Sequence, residues 1–114
     1  MSYYKKDCIF CRIANHEAKS KIVFEDDLVV AFDSIDPVAG VHILITPRNH
    51  ISTFMDIGGP SEISAMVQAA QLLIKRNKIE RGYKLVFNGG KYQEIMHLHW
   101  HLLGGKFKKS ISET

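Results

Sequence analysis

The chain has 114 residues, of which 46% are hydrophobic and 24% are charged. This usage is typical of a globular protein, excludes a disordered or fibrous chain, and at this length predicts a single domain over residues 1–114. Fifteen Lys and Arg residues against twelve Asp and Glu residues leave a formal net charge of +3, which is too small to indicate a nucleic-acid-binding protein.

The N-terminal half predicts a short helix followed by three strands. Residues 8–16 place apolar side chains at helical spacing, so we expect a helix there. Residues 21–25 and 28–33 are rich in Val, Ile and Phe, and the acidic residues where they meet predict the turn of a β-hairpin. Residues 34–40 contain the Pro and Gly of a loop, and residues 41–46 form the predicted third strand.

The C-terminal half predicts one long helix and two further strands. From Ser61 the apolar residues fall on one stripe, cationic residues gather towards Arg81, and Gly82 is the predicted C-terminal cap. Residues 84–87 and 97–103 are the next predicted strands, and the glycines at 104 and 105 are expected to end the second, leaving a tail at 106–114. Because helices and strands do not alternate, we predict an α+β fold. It has a five-stranded, largely antiparallel sheet, one short N-terminal helix and one long helix.

Three of the six histidines alternate with apolar residues in the predicted fifth strand: His97, His99 and His101. Alternate side chains of a strand share one face, so the three imidazoles are expected to line one side of the sheet while the intervening residues pack on the other. A lone histidine in a strand is usually structural. Imidazole is a poor core filler, however, and three charged rings side by side are unfavourable, so the row indicates a functional site.

The spacing of this row favours a phosphate over a single metal ion. Same-face residues of a strand lie about 6.6–6.8 Å apart, so two adjacent histidines can reach one ion, whereas the outer pair cannot easily share it. An extended row suits an extended charged group such as a phosphate chain. Neutral imidazole is also a competent nucleophile at pH 7.

The chain resembles the histidine triad (HIT) family, whose motif His-x-His-x-His-apolar-apolar is matched at every position of residues 97–103. The resemblance extends over nearly the whole chain. Residues 8–13, residues 31–47 and the pair His50-Ile51 are similar, in the same order, to regions of histidine triad nucleotide-binding proteins. The small bacterial members are the most similar. The resemblance implies a single HIT domain with the fold of that family.

The resemblance implies catalytic roles for three histidines. His99 is implied to attack an α-phosphate and to form a covalent nucleotidyl-histidine intermediate, which water hydrolyses to release a nucleoside monophosphate. His101 is implied to hydrogen-bond the phosphate and to help the leaving group accept a proton, and His42 to line the same pocket. The implied activity is hydrolysis of a nucleoside phosphoramidate or a related purine nucleotide.

The resemblance also implies which residues bind the nucleotide. Five large apolar residues are implied to surround the purine and ribose, although each is by itself typical of a protein core: Ile9, Phe10, Ile13, Phe32 and Ile35. Asn88 is implied to help build the phosphate site, although a turn residue is the ordinary interpretation, and Gln93 is implied to lie near the leaving group.

Three positions depart from the family pattern. Ser34 occupies the place of an aspartate that commonly binds the ribose hydroxyls. Asp33 or Asp36 can substitute, and Asp36 is favoured because it shares a face with Ser34 in an extended segment. Tyr92 replaces a customary glycine, and Glu94 stands where a serine often contacts the leaving group. An acidic residue there is expected to favour a cationic or neutral leaving group.

Cys8 and Cys11 have the spacing of half a zinc site, and the predicted helix places both thiols on one face. A redox pair is the alternative, but that motif follows a strand of a βαβ unit, and no strand is predicted before Cys8. His16, His50 and His97 are the histidines left to complete a metal site. The resemblance to bacterial relatives implies that His50 and His97 are the other two ligands of a structural zinc ion, with His16 on the surface.

Other functions are alternatives to the phosphoramidase. They are a dinucleoside polyphosphate hydrolase, a nucleotide-binding regulatory protein with only incidental hydrolysis, and a metal-binding module that uses the three alternating histidines themselves. Relatives are usually dimers with the two sheets joined, so the resemblance implies a homodimer. The apolar runs are too short to span a membrane and no apolar leader is present, so we expect a cytoplasmic protein without a membrane partner.

Overall fold

A five-stranded antiparallel sheet carries one helix on each face in the computed structural model, which describes residues 3–108. The order across the sheet is β1-β2-β3-β5-β4. The strands are β1 (Ile22–Glu25), β2 (Val29–Asp33), β3 (Ala39–Pro47), β4 (Tyr83–Val86) and β5 (Trp100–Phe107). Helix α1 is Ile9–Ala14 and helix α2 is Pro60–Arg76. The predicted α+β class, the antiparallel sheet and the two helices are therefore confirmed.

Side-chain alternation along the strands divides the core between the two faces of the sheet. The face under α2 carries the larger cluster, in which strand residues such as Ile45 and Leu102 pack against Met66 and Leu73 of the helix, all fully buried. The opposite face carries a smaller cluster built from α1 and from alternate residues of β2 and β3, including Phe32. The sheet thus has one face that packs against α2 and a second face that the short helix α1 covers only in part.

Helix α2 begins with Pro60 in its first turn, as expected for proline, but it ends earlier than predicted. Its C-cap is Asn77, whose side-chain amide donates to the Leu73 carbonyl over 2.8 Å. Lys78 then adopts a positive φ of 57°, the left-handed conformation that commonly follows a helix. The prediction that Gly82 caps this helix is wrong. The helix ends at Asn77, five residues earlier, where the backbone N–H and the side-chain amide of Asn77 both donate to the Leu73 carbonyl and the next residue is left-handed.

Strand β5 begins and ends later than the predicted residues 97–103, and β3 begins two residues before its predicted start. Gly104 does not end the strand. A Cβ at Gly104 would lie 2.7 Å from Cδ1 of Ile79, so the glycine permits close approach of that side chain. Of the predicted tail, residues 106 and 107 belong to β5, while residues 109–114 lie outside the described part of the chain.

Two single turns of 3₁₀ helix, Phe54–Asp56 and Gly90–Tyr92, lie in the connections that follow β3 and β4. The second connection leads directly into the alternating histidines. Within residues 3–108, no helix combines the length and the apolar character needed to cross a membrane.

Candidate catalytic cavity and metal-ligand cluster

The side chains of residues 97–103 alternate between the two faces of the sheet, as predicted. Leu98, Trp100 and Leu102 belong to the core under α2. The histidines point to the α1 side, although the first two precede the regular hydrogen bonding of β5. The three rings do not share one environment, because His97 is fully buried whereas His99 and His101 line a cavity.

This cavity has a volume of about 500 Å³ and also receives His42 from β3. The ring centroids of His99 and His101 are 5.1 Å apart, and those of His42 and His101 are 5.2 Å apart. Besides the three histidines, the lining residues are Phe10, Asp36, Val38, Leu44, Asn88, Tyr92, Glu94 and Ile95. The structure therefore brings the three predicted catalytic histidines together in one concave site.

The hydrogen bonds of His99 determine which of its ring nitrogens has a lone pair. Its Nδ1 lies 2.7 Å from the main-chain carbonyl oxygen of His97. A carbonyl oxygen only accepts, so Nδ1 carries the proton and Nε2 of the neutral ring keeps its lone pair. Burial lowers the pKa of His99, which keeps the ring neutral at pH 7. Phe10 packs edge-on against the ring at 5.1 Å. A neutral imidazole whose orientation is fixed and whose Nε2 lone pair is available can act as a nucleophile.

His42 and His101 form a chain of hydrogen bonds that places a proton on Nε2 of His101, where His99 has a lone pair. The backbone N–H of Val38 donates to Nδ1 of His42 over 3.1 Å, so neutral His42 carries its proton on Nε2. That Nε2–H donates to Nδ1 of His101 over 2.9 Å, so neutral His101 also carries its proton on Nε2. Burial and the neighbouring rings lower the pKa of His101 to about 4. At pH 7 His101 is therefore a hydrogen-bond donor through Nε2.

A second cluster of polar side chains lies behind the cavity, where Cys8, Cys11, His50 and His97 place one ligand atom each within 4.8 Å of one another. The Sγ atom of Cys8 is 3.3 Å from Nδ1 of His97, and the Sγ atom of Cys11 is 3.4 Å from Nδ1 of His50. Bond lengths of about 2.3 Å to sulfur and about 2.0–2.1 Å to nitrogen put S and N about 3.5 Å apart in a tetrahedral zinc site. The four donors therefore fit a tetrahedral metal ion.

Hydrogen bonds orient both imidazoles of this cluster toward the thiols. Nε2 of His97 donates to the Pro47 carbonyl over 2.8 Å, and Nε2 of His50 lies 3.2 Å from Oγ of Ser52. The two Nδ1 atoms are then the ligating atoms. Burial lowers the pKa of His97 to about 4 and also lowers that of His50, so both rings are neutral. Burial raises the pKa of Cys11 to about 11, so a bound cation has to displace the thiol proton.

The predicted nucleotide-binding residues are distributed over several environments. Phe10 and Asn88 line the cavity. Ile13 and Phe32 belong to the core beneath α1, with exposed fractions of 6% and 3%. Ile35 is 98% exposed and lies outside the cavity lining. Ile9 is 42% exposed and is also outside it.

The polar residues predicted around the nucleotide also lie in different parts of the structure. Ser34 and Asp33 line a smaller cavity of about 310 Å³ that shares His42, whereas Asp36 lines the main cavity. The side-chain amide of Gln93 donates to the carbonyls of Ser52 and Ile95, which holds the segment before His97 in place. Their roles toward a nucleotide stay predictions. Asp36, the favoured substitute for Ser34, is the acidic residue of this segment that reaches the main cavity.

Several contributors to the two sites were not anticipated. Leu44 could have been identified because it lies two residues after His42 on β3 and therefore shares its face. Val38 and Pro47 contribute main-chain groups, an N–H to His42 and a carbonyl to His97, for which side-chain patterns carry no signal.

The chain is similar over most of its length to proteins of known family. The HIT domain model matches residues 15–108. Purine nucleoside phosphoramidase of Escherichia coli (strain K12) is 40% identical over 106 residues, which cover 89% of each chain. A HIT family hydrolase from Legionella pneumophila Philadelphia 1 is 40% identical with a TM-score of 0.83 and covers 92% of this chain and 98% of its own. A histidine triad protein from Clostridium difficile is 38% identical with a TM-score of 0.85 and covers 90% of this chain and 93% of its own.

Proposed function

The chain belongs to the histidine triad, or HIT domain, family, and from that premise we propose that it cleaves a purine nucleoside phosphoramidate or related nucleotide at the α-phosphate. The observation that carries the proposal is the pairing of two tautomers in one cavity. His99 has a lone pair at Nε2, and His101 has a proton at Nε2. Similarity to a purine nucleoside phosphoramidase supports the substrate class.

The proposed reaction has two displacements at phosphorus. In the first, Nε2 of His99 forms a bond to phosphorus while the bond from phosphorus to the leaving group breaks, and the leaving group takes up one proton from solvent. The Nε2–H of His101 hydrogen-bonds the reacting group and stabilises the charge that develops there. In the second, water attacks phosphorus and releases one proton to solvent, the bond from phosphorus to Nε2 of His99 breaks, and the nucleoside monophosphate is released.

Removing the nucleophile tests this proposal. We expect His99→Ala to lower kcat for an adenosine phosphoramidate by at least about 10³-fold while the variant still folds and binds adenosine monophosphate. Rapid quenching of the wild type into alkaline denaturant, followed by intact-protein mass spectrometry, should show an adduct of one nucleoside monophosphate that His99→Ala lacks. His16→Ala removes an exposed histidine outside the cavity and serves as the control.

Turnover retained in His99→Ala would overturn the covalent mechanism. Tight nucleotide binding by the wild type with no turnover on any phosphoramidate would favour the regulatory protein instead.

We also propose that Cys8, Cys11, His50 and His97 bind a structural zinc ion. Two thiols and two imidazoles at tetrahedral separations are the donor set that Zn²⁺ prefers in closed structural sites. A bound ion would join the N-terminal end of α1, the connection after β3 and the segment before β5. In this proposal His97 has a structural role, and the other two histidines of the motif are left for chemistry.

A homodimer is proposed from the exposed edge of the sheet. Strand β4 has a neighbour on one side only, and Tyr83 and Leu85 on it are 49% and 43% exposed. Phe87, also 43% exposed, stacks on Phe54 with ring centroids 4.8 Å apart. An edge strand with apolar side chains is a template for pairing with another chain. This surface supports a dimer in which the two sheets join along β4.

A further inference from the structure

We propose that Glu94 selects substrates whose leaving group carries a positive charge, so that the preferred substrates are nucleoside phosphoramidates of cationic amines. This inference rests on the proposed function and deepens it by naming the chemistry of the departing group. It concerns the order in which leaving groups are preferred, whereas the covalent step belongs to His99.

The cavity has a net negative charge of its own. Among the described residues, its lining contains two carboxylates, Asp36 and Glu94, and no lysine or arginine. His42 and His101 add no positive charge, because each accepts a hydrogen bond at Nδ1, which only a neutral ring can do. A substrate with several negative charges is therefore opposed by the lining, and a positive group on the substrate is attracted to it.

Of the two carboxylates, Glu94 lies in the connection that leads into His99, whereas Asp36 lies in the connection that leads into β3 and His42. Within residues 3–108, no hydrogen bond or ion pair engages the Glu94 carboxylate, and its side chain is exposed. The charge is thus available to a group bound beside His99.

The neutral hydrogen-bond donors of the cavity help it to distinguish phosphoramidates from more highly charged polyphosphates. A phosphoramidate carries one negative charge at phosphorus, which the Nε2–H of His101 and the amide of Asn88 can meet by hydrogen bonding. A dinucleoside polyphosphate carries several more charges, and the lining offers no cation to pair with them. The same lining therefore disfavours polyphosphates and anionic amines and favours an amine that has a second, protonated nitrogen.

The size of the effect follows from the exposure of Glu94. Two unit charges roughly 6–8 Å apart near solvent change kcat/KM by about three- to tenfold per charge, and salt reduces the effect. Glu94 attracts a cationic leaving group and repels an anionic one, so both effects increase the ratio of kcat/KM between the two substrates. We expect a preference of about tenfold or more for the cationic group from Glu94.

Three adenosine phosphoramidates with leaving amines of similar length test the inference: those of 1,3-diaminopropane, n-butylamine and β-alanine. For the wild type, kcat/KM should decrease in that order. Glu94→Gln keeps the shape of the side chain and removes its charge, and should reduce the ratio between the first and third substrates by about tenfold. Glu80→Gln makes the same change at an exposed position outside the cavity and should leave the ratio unaltered.

A ratio in Glu94→Gln within twofold of the wild type overturns the inference, as does a wild type that prefers the β-alanine compound. Circular dichroism establishes whether the variant folds. If it does not, the wild-type ratio measured from about 20 to about 500 mM NaCl decides, since a ratio that stays constant contradicts a charge effect. Hydrolysis of none of the three compounds overturns the proposed function itself, whereas hydrolysis of all three at equal rates overturns only the role of Glu94.

Discussion

Each of four imidazoles has one nitrogen bound to a fixed partner, and that partner determines what the other nitrogen can do. A carbonyl on Nδ1 gives His99 a lone pair at Nε2, and a carbonyl on Nε2 directs Nδ1 of His97 to the thiols. The backbone N–H of Val38 acts through His42 and makes His101 a donor. Residues of one type thus acquire different chemistry from the main-chain groups that bind them, directly or through a second ring.

The low pKa of His101 makes stability depend on pH. Its pKa is about 4 in the folded protein against a reference value of 6.5, so between these pH values the unfolded chain binds a proton that the folded chain does not. The free energy of unfolding should therefore fall as pH is lowered from 6.5 towards 4.

We expect His101→Gln to flatten this dependence, and thermal unfolding at steps of pH measures it. Gln68→Ala changes an exposed side chain that does not titrate, and as the control it should keep the wild-type slope. The other buried histidines account for the slope that remains. Identical slopes in His101→Gln and the wild type would contradict this account.

The alternating histidines and the two cysteines could be predicted from side-chain spacing, whereas His42 and His50 were implied only by the resemblance to the family. The tautomers could not, since they depend on carbonyls and N–H groups brought near by the fold. The exposure of Ile35 was also outside the reach of a pattern, because an apolar residue in a loop carries no signal about which way it points. Glu94 could be singled out by its position, but its place in the cavity lining needed the structure.

At the scale of elements, the existence and type of both α-helices and all five strands could be predicted, while their ends and the two turns of 3₁₀ helix could not. Helix α2 ends at Arg76 because Asn77 caps it through the Leu73 carbonyl and Lys78 leaves the helical conformation. Strand β5 continues past the glycines because its neighbours β3 and β4 both pair with Gly104. The end of the strand thus depends on partners distant in sequence, which a local pattern of residues does not contain.

The short helix α1 is expected to depend on the metal site. It has six residues, too few for a helix that is stable by itself, and its N-cap is Cys8. We expect Cys8→Ser to lose the zinc that the wild type binds at one ion per chain, and to lower Tm by about 10 °C or more because the ion stabilises only the folded state. Elemental analysis and thermal unfolding of the purified proteins measure both.

His99→Ala is the control and should retain the zinc, because its ring faces the cavity and not the thiols. Loss of zinc in His99→Ala, or its retention in Cys8→Ser, would instead favour a metal site built from the alternating histidines.

At the scale of the whole molecule, the exposed edge strand makes oligomeric state testable. We expect Leu85→Glu to convert the proposed dimer to a monomer, because it places a charge among apolar side chains along β4. Sedimentation velocity measures the mass. Leu28→Glu changes another partly exposed leucine, in the turn before β2, and should remain dimeric. A monomeric wild type, or a dimeric Leu85→Glu variant, would contradict the proposed interface.

The fold of the whole molecule could be predicted because the order of elements and the motif of residues 97–103 agree on one family. The single domain over residues 1–114 and the cytoplasmic location stay predictions. The assembly could not be argued from residue patterns, since apolar residues such as Tyr83 are equally typical of a buried strand. Only the strand order shows that β4 lies at an edge.

The alternation in residues 97–103 also bears on how the protein could be re-engineered. The odd-numbered positions from 97 to 101 supply reactive and ligating rings, and the even-numbered positions supply bulk to the interior under α2. A library for a new reaction can therefore randomise His99 and His101 without disturbing that interior. Inserting or deleting one residue here would exchange the two sets, placing imidazoles in the hydrocarbon interior and an indole in the cavity. Point substitutions can separate chemistry from folding in this segment, whereas a change of length alters both at once.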